Sequence, residues 1–368
     1  MRVAVVGGGV VGLVVAGDLA KRDADVVCYD RGELGGGSTG RAAGICYDAF
    51  ADPVDAAVAD RALARYREWG LLSTCPYVWV ARDDADARAV RAQVDRMQDL
   101  DRAVAHADGE ALTDRYPALE TETITAAGIA HDAGLLDPER VVELLARRAR
   151  DAGATLRPET PVSLATGETP TVRIPAGPER FDAVVVAAGP ATKPLLAAAD
   201  VDLALKTYRA QALVTTPVEA TLPSLYDATR EFYWRPHGDS LLVGDGAHEV
   251  SPDEWTRDAD PAFVESALER LGDATTLAPT TARSWAGLCT ATPDRDPLVG
   301  QVADGLWVAT GWQGHGLMHA PAMGEYLTCA LLGLDYPVDA PVEARLDPTR
   351  FDGTETFDAL GDPTRDWE

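Results

Sequence analysis

Lysine is nearly missing from this chain: three residues, at positions 21, 193 and 206, among 368. Almost all positive charge is therefore arginine, and 33 basic residues against 59 acidic ones leave a formal net charge of −26. A surface of that sign repels nucleic acid and anionic membrane, so no nucleic-acid partner is expected. The acidic residues are spread along the chain rather than gathered in a tail, and a halophilic habitat is the expectation, because salt would screen their mutual repulsion. Cysteine is also scarce: five residues, with neither a C-x-x-C pair nor zinc-like spacing, which points to reduced, buried thiols. Long apolar runs are absent, so no membrane span is expected. With no cleavable signal ahead of the first strand-like segment, a cytoplasmic location is. What remains is 46% hydrophobic residues, enough to fill two cores, and two domains are expected.

The first twelve residues, MRVAVVGGGVVG, set an apolar strand directly before Gly7, Gly9 and Gly12. Gly7 permits a tight turn, Gly9 lets the backbone reach a pyrophosphate, and Gly12 lets the following helix pack closely on its strand with its N-terminus toward the phosphates. Val10 and Val11 open that helix. Asp30 closes a second apolar run, VVCYD, where a carboxylate accepts the hydroxyls of an unphosphorylated ribose. This spacing suits FAD and NAD alike. The next run, RGELGGGSTGRAAGICYD, offers backbone amides and hydroxyls beside such a cofactor.

Helices are expected over 53–72 and 83–105, and a third after the Asp137-Pro138 cap, ending at Gly153. FDAVVVAAGPAT (181–192) has the continuous apolar character of a buried parallel strand and should rejoin the first sheet. From about 205 to 285 the period changes to two, in YRAQALVTT, EFYWRP and DSLLVGDG, which predicts an antiparallel sheet with one helix near PAFVESALERLG. GLWVATG (305–311) returns to the buried-strand pattern and leads through a glycine-rich turn into a helix. Beyond 334, Pro, Asp and Thr accumulate, and the tail is expected to be poorly ordered or laid along the surface.

Five blocks in order, GGGVVG, YDRGELGGGSTGRAAG, VVVAAGP, WAGLCTATPDRDPLVG and GLWVATGWQGHGLMHAPAMG, resemble the D-amino acid oxidase family, and within it members of glycine oxidase and sarcosine oxidase type. The resemblance implies an α/β fold: a Rossmann-like FAD-binding domain (1–75, 135–204 and 286–333) interleaved with an α+β substrate domain (76–134 and 205–285) containing a mostly antiparallel sheet, then a tail at 334–368. It implies FAD contacts at Gly7, Gly9, Val10, Val11, Gly12, Asp30, Arg31, Ser38, Thr39, Arg41, Ala42, Ala43 and Gly44. Further contacts are implied at Val162, Ala188, Gly189, Gly311, Gly314, His315, Gly316 and Leu317. The implied reaction is hydride transfer to flavin N5 from the carbon next to a neutral amine nitrogen, giving an imine that hydrolyses. The partners are then a small amine or amino-acid substrate and an electron acceptor, O2 or a redox carrier.

The chain departs from the family pattern at three places. Glycine-oxidase-like members carry W-A-G-L-R-P, whose arginine grips the substrate carboxylate; here Cys289 stands in its place, leaving Arg41, Arg209, Arg235 and Lys206 as candidate cations. Gly287 occupies the place of the flavin-linking cysteine of sarcosine-oxidase-like members, so FAD is expected to be non-covalent. No lysine lies on DSLLVGDG to assist oxygen. Tyr233 and Arg235 alternate along EFYWRP and can face the flavin together. With Arg41 and Gln313 they form the catalytic candidates, and His237 is a weaker one. His315 and His319 lack a third ligand, so no metal is expected. An NAD-dependent dehydrogenase, or a flavoprotein with an assembly role and no turnover, stays open. The oligomeric state cannot be read from these residues.

Overall fold

The computed structural model describes residues 1–165 and 170–360. The strand Arg2–Val6 is central in a six-stranded sheet, flanked in parallel by Asp25–Tyr29 and Ala183–Val186. Thr155–Arg157 lies beyond the first and Leu306–Thr310 beyond the second, both parallel; only the outermost strand, Leu298–Ala303, is antiparallel. Residues 3 to 6 are apolar without interruption because both faces are covered. Val3 and Val5 meet the helices Val10–Ala20, Pro138–Asp151 and Gly316–Leu332, whereas Ala4 and Val6 belong to a core on the opposite face. That face is covered by the three-stranded sheet Ser163–Ala165, Thr171–Ile174 and Gly177–Arg180.

An eight-stranded sheet forms the second lobe, in the order Thr281–Ala291, Lys206–Thr215, Ser240–Glu249, Phe232–His237, Ser224–Asp227, Tyr77–Ala81, Ala126–Ala130, Val104–Ala107. Every pairing is antiparallel except Ser224–Asp227 with Tyr77–Ala81. Side chains alternate between the faces. Phe232, Trp234, Leu213 and Val243 pack under the helix Pro261–Ala274, while Tyr233, Leu242, Ala212, Val214 and Trp285 face Ala43 of the first lobe.

Two expectations are corrected. The first two helices run Pro53–Glu68 and Asp84–Asp99, shorter than expected, because Gly70 and Asp101 turn left-handed just past their ends. Val104–Ala107 is consequently an edge strand, not helix. The tail runs along the surface and is pinned there: Arg345 pairs with Asp52 and Asp296, Arg350 pairs with Asp294, and Ala359 is fully buried against Tyr208 and Ala291. Residues 361–368 of that tail lie outside the described residues. No described helix is long and apolar enough to cross a membrane.

Candidate active site

The glycine turn is closed on all sides. Gly7 has φ +115°, and a Cβ there would lie 2.3 Å from the Ala187 carbonyl oxygen; one on Gly12 would lie 1.9 Å from the Gly7 oxygen. Only hydrogen fits at either position. Gly9 caps the helix Val10–Ala20, whose first turn carries no acidic residue, and the Val10 N–H donates to Thr39 Oγ1 at 3.1 Å. The side chains of Val10 and Val11 are buried in the core, so these residues can offer an anion only their backbone. Asp30 accepts the N–H of Gly8 at 2.7 Å and of Gly32 at 2.8 Å, and the Thr160 N–H donates to its carbonyl, which brings the segment with Val162 alongside. Ala188 and Gly189 close the turn from the neighbouring strand, with Gly189 next to Ser38. Arg31 is exposed. The cradle fits a dinucleotide diphosphate: bare backbone at a helix N-terminus, a carboxylate at the next strand's tip, and no room for a side chain.

The second and fifth sequence blocks meet on one strand, Thr281–Ala291. Ser38 Oγ donates to the Leu288 oxygen at 2.5 Å, and Trp285 Nε1 donates to the Arg41 oxygen at 3.3 Å. Gly287 leaves room for the Arg41 side chain, whose Cβ is 3.2 Å from where a Cβ on that glycine would sit. Three residues on, Thr290 Oγ1 accepts from the N–H of Gly311 at 3.2 Å and of Trp312 at 3.4 Å, while its carbonyl accepts from Gln313. Gly311, Gln313 and Gly314 all adopt positive φ, which folds the loop back before His315 caps the helix Gly316–Leu332. Tyr66 holds the Leu317 oxygen at 2.5 Å. Gln313 Nε2 donates to the Ala359 oxygen of the tail at 3.1 Å, and its Oε1 is buried with no partner.

The sheet face opposite these loops carries Tyr233. Its neighbour across the ladder is Gly244, and a Cβ on that glycine would lie 2.2 Å from the Tyr233 ring, so the absent side chain is what seats the phenol. Burial pushes the phenol up to about 12 and keeps it neutral. Cys289 belongs to the same face beside Tyr208, and burial pushes its thiol up to about 11. Tyr47, Tyr77 and Trp79 line the neighbouring wall, with the two tyrosine rings stacked at 5.0 Å. No spacing rule marks these aromatics. Gly244 could have been found, since a glycine inside a strand signals a close approach.

The four candidate cations separate. Arg209 is on the opposite face, held by Asp260 at 2.8 Å and by two carbonyls. Lys206 pairs with Glu249 at 2.9 Å and covers the Phe357 ring. Arg41 donates to the oxygens of Gly36 and Gly37, and burial and Arg257 lower its pKa. Arg235 is buried two residues from Tyr233. His237, just beyond, is lowered by burial and by Arg235 and Arg283. The rings of His315 and His319 stack at 5.7 Å and pack on Phe50, and burial lowers His319 to about 3, so it stays neutral.

A dinucleotide cradle whose second glycine loop folds onto the sheet of a separate lobe defines a dinucleotide-binding protein of two interleaved lobes. The chain belongs to the FAD dependent oxidoreductase family (DAO), whose model matches residues 2–330. Glycine oxidase of Pseudomonas putida is 28% identical over 362 residues, covering 92% of this chain and 96% of that protein. Human mitochondrial dimethylglycine dehydrogenase is also 28% identical over 94% of this chain, which spans 44% of that longer protein. Among solved structures, L-proline dehydrogenase from P. horikoshii matches with a TM-score of 0.88 at 24% identity, over 96% of this chain and 98% of that one. Glycine oxidase from Geobacillus kaustophilus matches at 0.86 and 22%, over 95% and 99%. The cofactor is FAD, the chain is a flavoenzyme, and the NAD and non-enzyme readings fall.

Proposed function

We propose that this chain oxidises the C–N bond of a small amine or amino acid, of glycine, sarcosine or D-amino-acid type, on the sheet face that carries Tyr233. FAD supplies the two-electron acceptor that takes hydride from the carbon next to the nitrogen. Gly7, Gly9, Gly12 and the amide of Val11, with Val10 at the helix start turned to Thr39, would hold the diphosphate and Asp30 the ribose. The 38–44 and 311–317 loops hold the ring system, with Ala188 and Gly189 beside them and Val162 on the adenine side. The N-terminal amides of the helix Gly316–Leu332 favour negative charge on the pyrimidine edge. Tyr233, neutral at working pH, donates a hydrogen bond and orients the substrate, while the stacked Tyr47 and Tyr77 exclude water. Arg41 and Gln313 border the reacting centre.

FAD is bound non-covalently in this reading, because Gly287 offers no thiol and Cys289 stays protonated. The engagement of Lys206 by Glu249 favours a redox carrier over O2 as acceptor. The acidic surface fits a halophilic host, and the five free thiols fit the cytoplasm.

The observation that carries the reading is the convergence of Ser38, Arg41, Gly311 and Gln313 on one strand of the substrate sheet. The test is anaerobic titration of purified holoprotein in high salt with primary and secondary amines and amino acids. Bleaching of the flavin bands by at least one of them, with FAD released on denaturation, is expected. A flavin that none of them bleaches overturns the proposal.

A further inference from the structure

We infer that Arg235 is the carboxylate anchor of this site, moved across the sheet from the position where Cys289 stands, and that the substrate is an amino acid or N-alkyl amino acid rather than a simple amine. This rests on the amine-oxidising reading above.

Three arginines of the described chain are buried: Arg65, Arg209 and Arg235. Arg65 pairs with Asp18 at 2.7 Å and Arg209 with Asp260 at 2.8 Å. Arg235 is 6% exposed, yet among the described residues no carboxylate pairs with it. Its Nη1 donates to the adjacent Pro236 oxygen at 3.0 Å, and its Nε is buried with no partner. The carboxylate whose charge acts on it is Asp137, which makes no ion pair with it and whose Oδ1 is occupied by the N–H groups of Glu139 and Arg140 at the start of the helix Pro138–Asp151. Arg283 and His237 add no negative charge: Arg283 repels the guanidinium, and His237 is held neutral. A buried guanidinium in such surroundings lacks an anion, and its planar fork matches a carboxylate in two parallel hydrogen bonds.

The register places that anion. Arg235 shares a row across the sheet with Leu242, Val214 and Arg283, and Tyr233 shares the next with Gly244, Ala212 and Trp285. Trp285 holds the Arg41 carbonyl, so the Tyr233 row stands between Arg235 and the nucleotide loops. A carboxylate on Arg235 therefore directs the amine end of the same molecule toward Tyr233 and the flavin loops. Position 289 has no cation to compete for it.

The test uses the holoenzyme, Arg235→Met and Arg235→Lys. Acetate and benzoate are titrated against the flavin absorbance and against the melting temperature. Both acids are expected to bind the native protein and raise its melting temperature, with affinity at least tenfold weaker in Arg235→Met and intermediate in Arg235→Lys. Without ligand, Arg235→Met should melt no lower than the native protein, since it removes an unpaired buried charge; a purely structural arginine would lower it. Anaerobic reduction by an amino acid is expected to exceed reduction by its decarboxylated amine at least tenfold, and Arg235→Met should bring the ratio near one. Unchanged acid binding in both variants, or a native protein reduced equally by the two substrates, overturns the inference. If nothing reduces the flavin, the functional reading falls and the acid titration alone still decides the role of Arg235.

Discussion

The two lobes build their halves of the site by opposite means. In the nucleotide lobe the working groups are backbone amides, and specificity comes from side chains that are not there: Gly7, Gly9 and Gly12 present bare main chain at a helix end. In the substrate lobe the backbone is consumed by the ladder, and the proposed site has to draw on side chains standing on one face of a sheet, among them Tyr233, Arg235, Trp285 and Cys289. The first kind of site is rigid, because main-chain atoms enclose it. The second can vary residue by residue without loss of the fold.

The largest effect is expected from Gly12→Val. The new Cβ would meet main chain that cannot move, and a cost of about 4 kcal/mol or more is expected, read as loss of FAD and a collapsed melting temperature. Normal FAD content in that variant would erase the contrast between the lobes. Gly244→Ala is expected to act next, and differently. Its Cβ meets a ring that can swing, so overpacking of about 1–3 kcal/mol leaves FAD content intact while kcat/KM falls at least tenfold. Parallel loss of FAD would show the two halves to be one unit.

Asp30→Ala leaves the N–H groups of Gly8 and Gly32 without their acceptor, at a cost of about 1–3 kcal/mol, and should raise the Kd for FAD without altering substrate preference in the loaded enzyme. The smallest change concerns Cys289. Its thiol, pushed up to about 11, is protonated at working pH, with a thiolate fraction of about one in a thousand at pH 8. Alkylation of Cys289, followed by peptide mass, is therefore expected to be slow at pH 8 and to quicken about tenfold per pH unit up to about 11. Ala359→Asp should accelerate it at fixed pH by lifting the tail, with FAD content unchanged.

How much of this could be read in the residue order follows the same division. The glycine cradle, Asp30, the return strand Ala183–Val186 and the loop before Gly316 are local patterns, and each lies where spacing places it. The substrate face joins a local hairpin to strands far apart in the chain, Lys206–Thr215 with Thr281–Ala291, so the full rows that carry Tyr233 and Arg235 exist only after folding. Alternation did place Tyr233 and Arg235 on one side of their strand, but it could not separate Arg209, on the far face with Asp260, from the other cations. The tail's composition left a loose and a surface-laid segment equally open, and two arginine clusters, Arg345 with Asp52 and Asp296, and Arg350 with Asp294, fix the second.

The strand Thr281–Ala291 is stitched at Leu288, Trp285 and Thr290 to both nucleotide loops while remaining an edge of the substrate sheet. The lobes are consequently not jaws on a hinge, and no wide swing admits the reactant. Any passage for a reactant has to lie within this fixed pair of lobes, beside the loop that turns back at Gly311, Gln313 and Gly314 and is tied to Ala359.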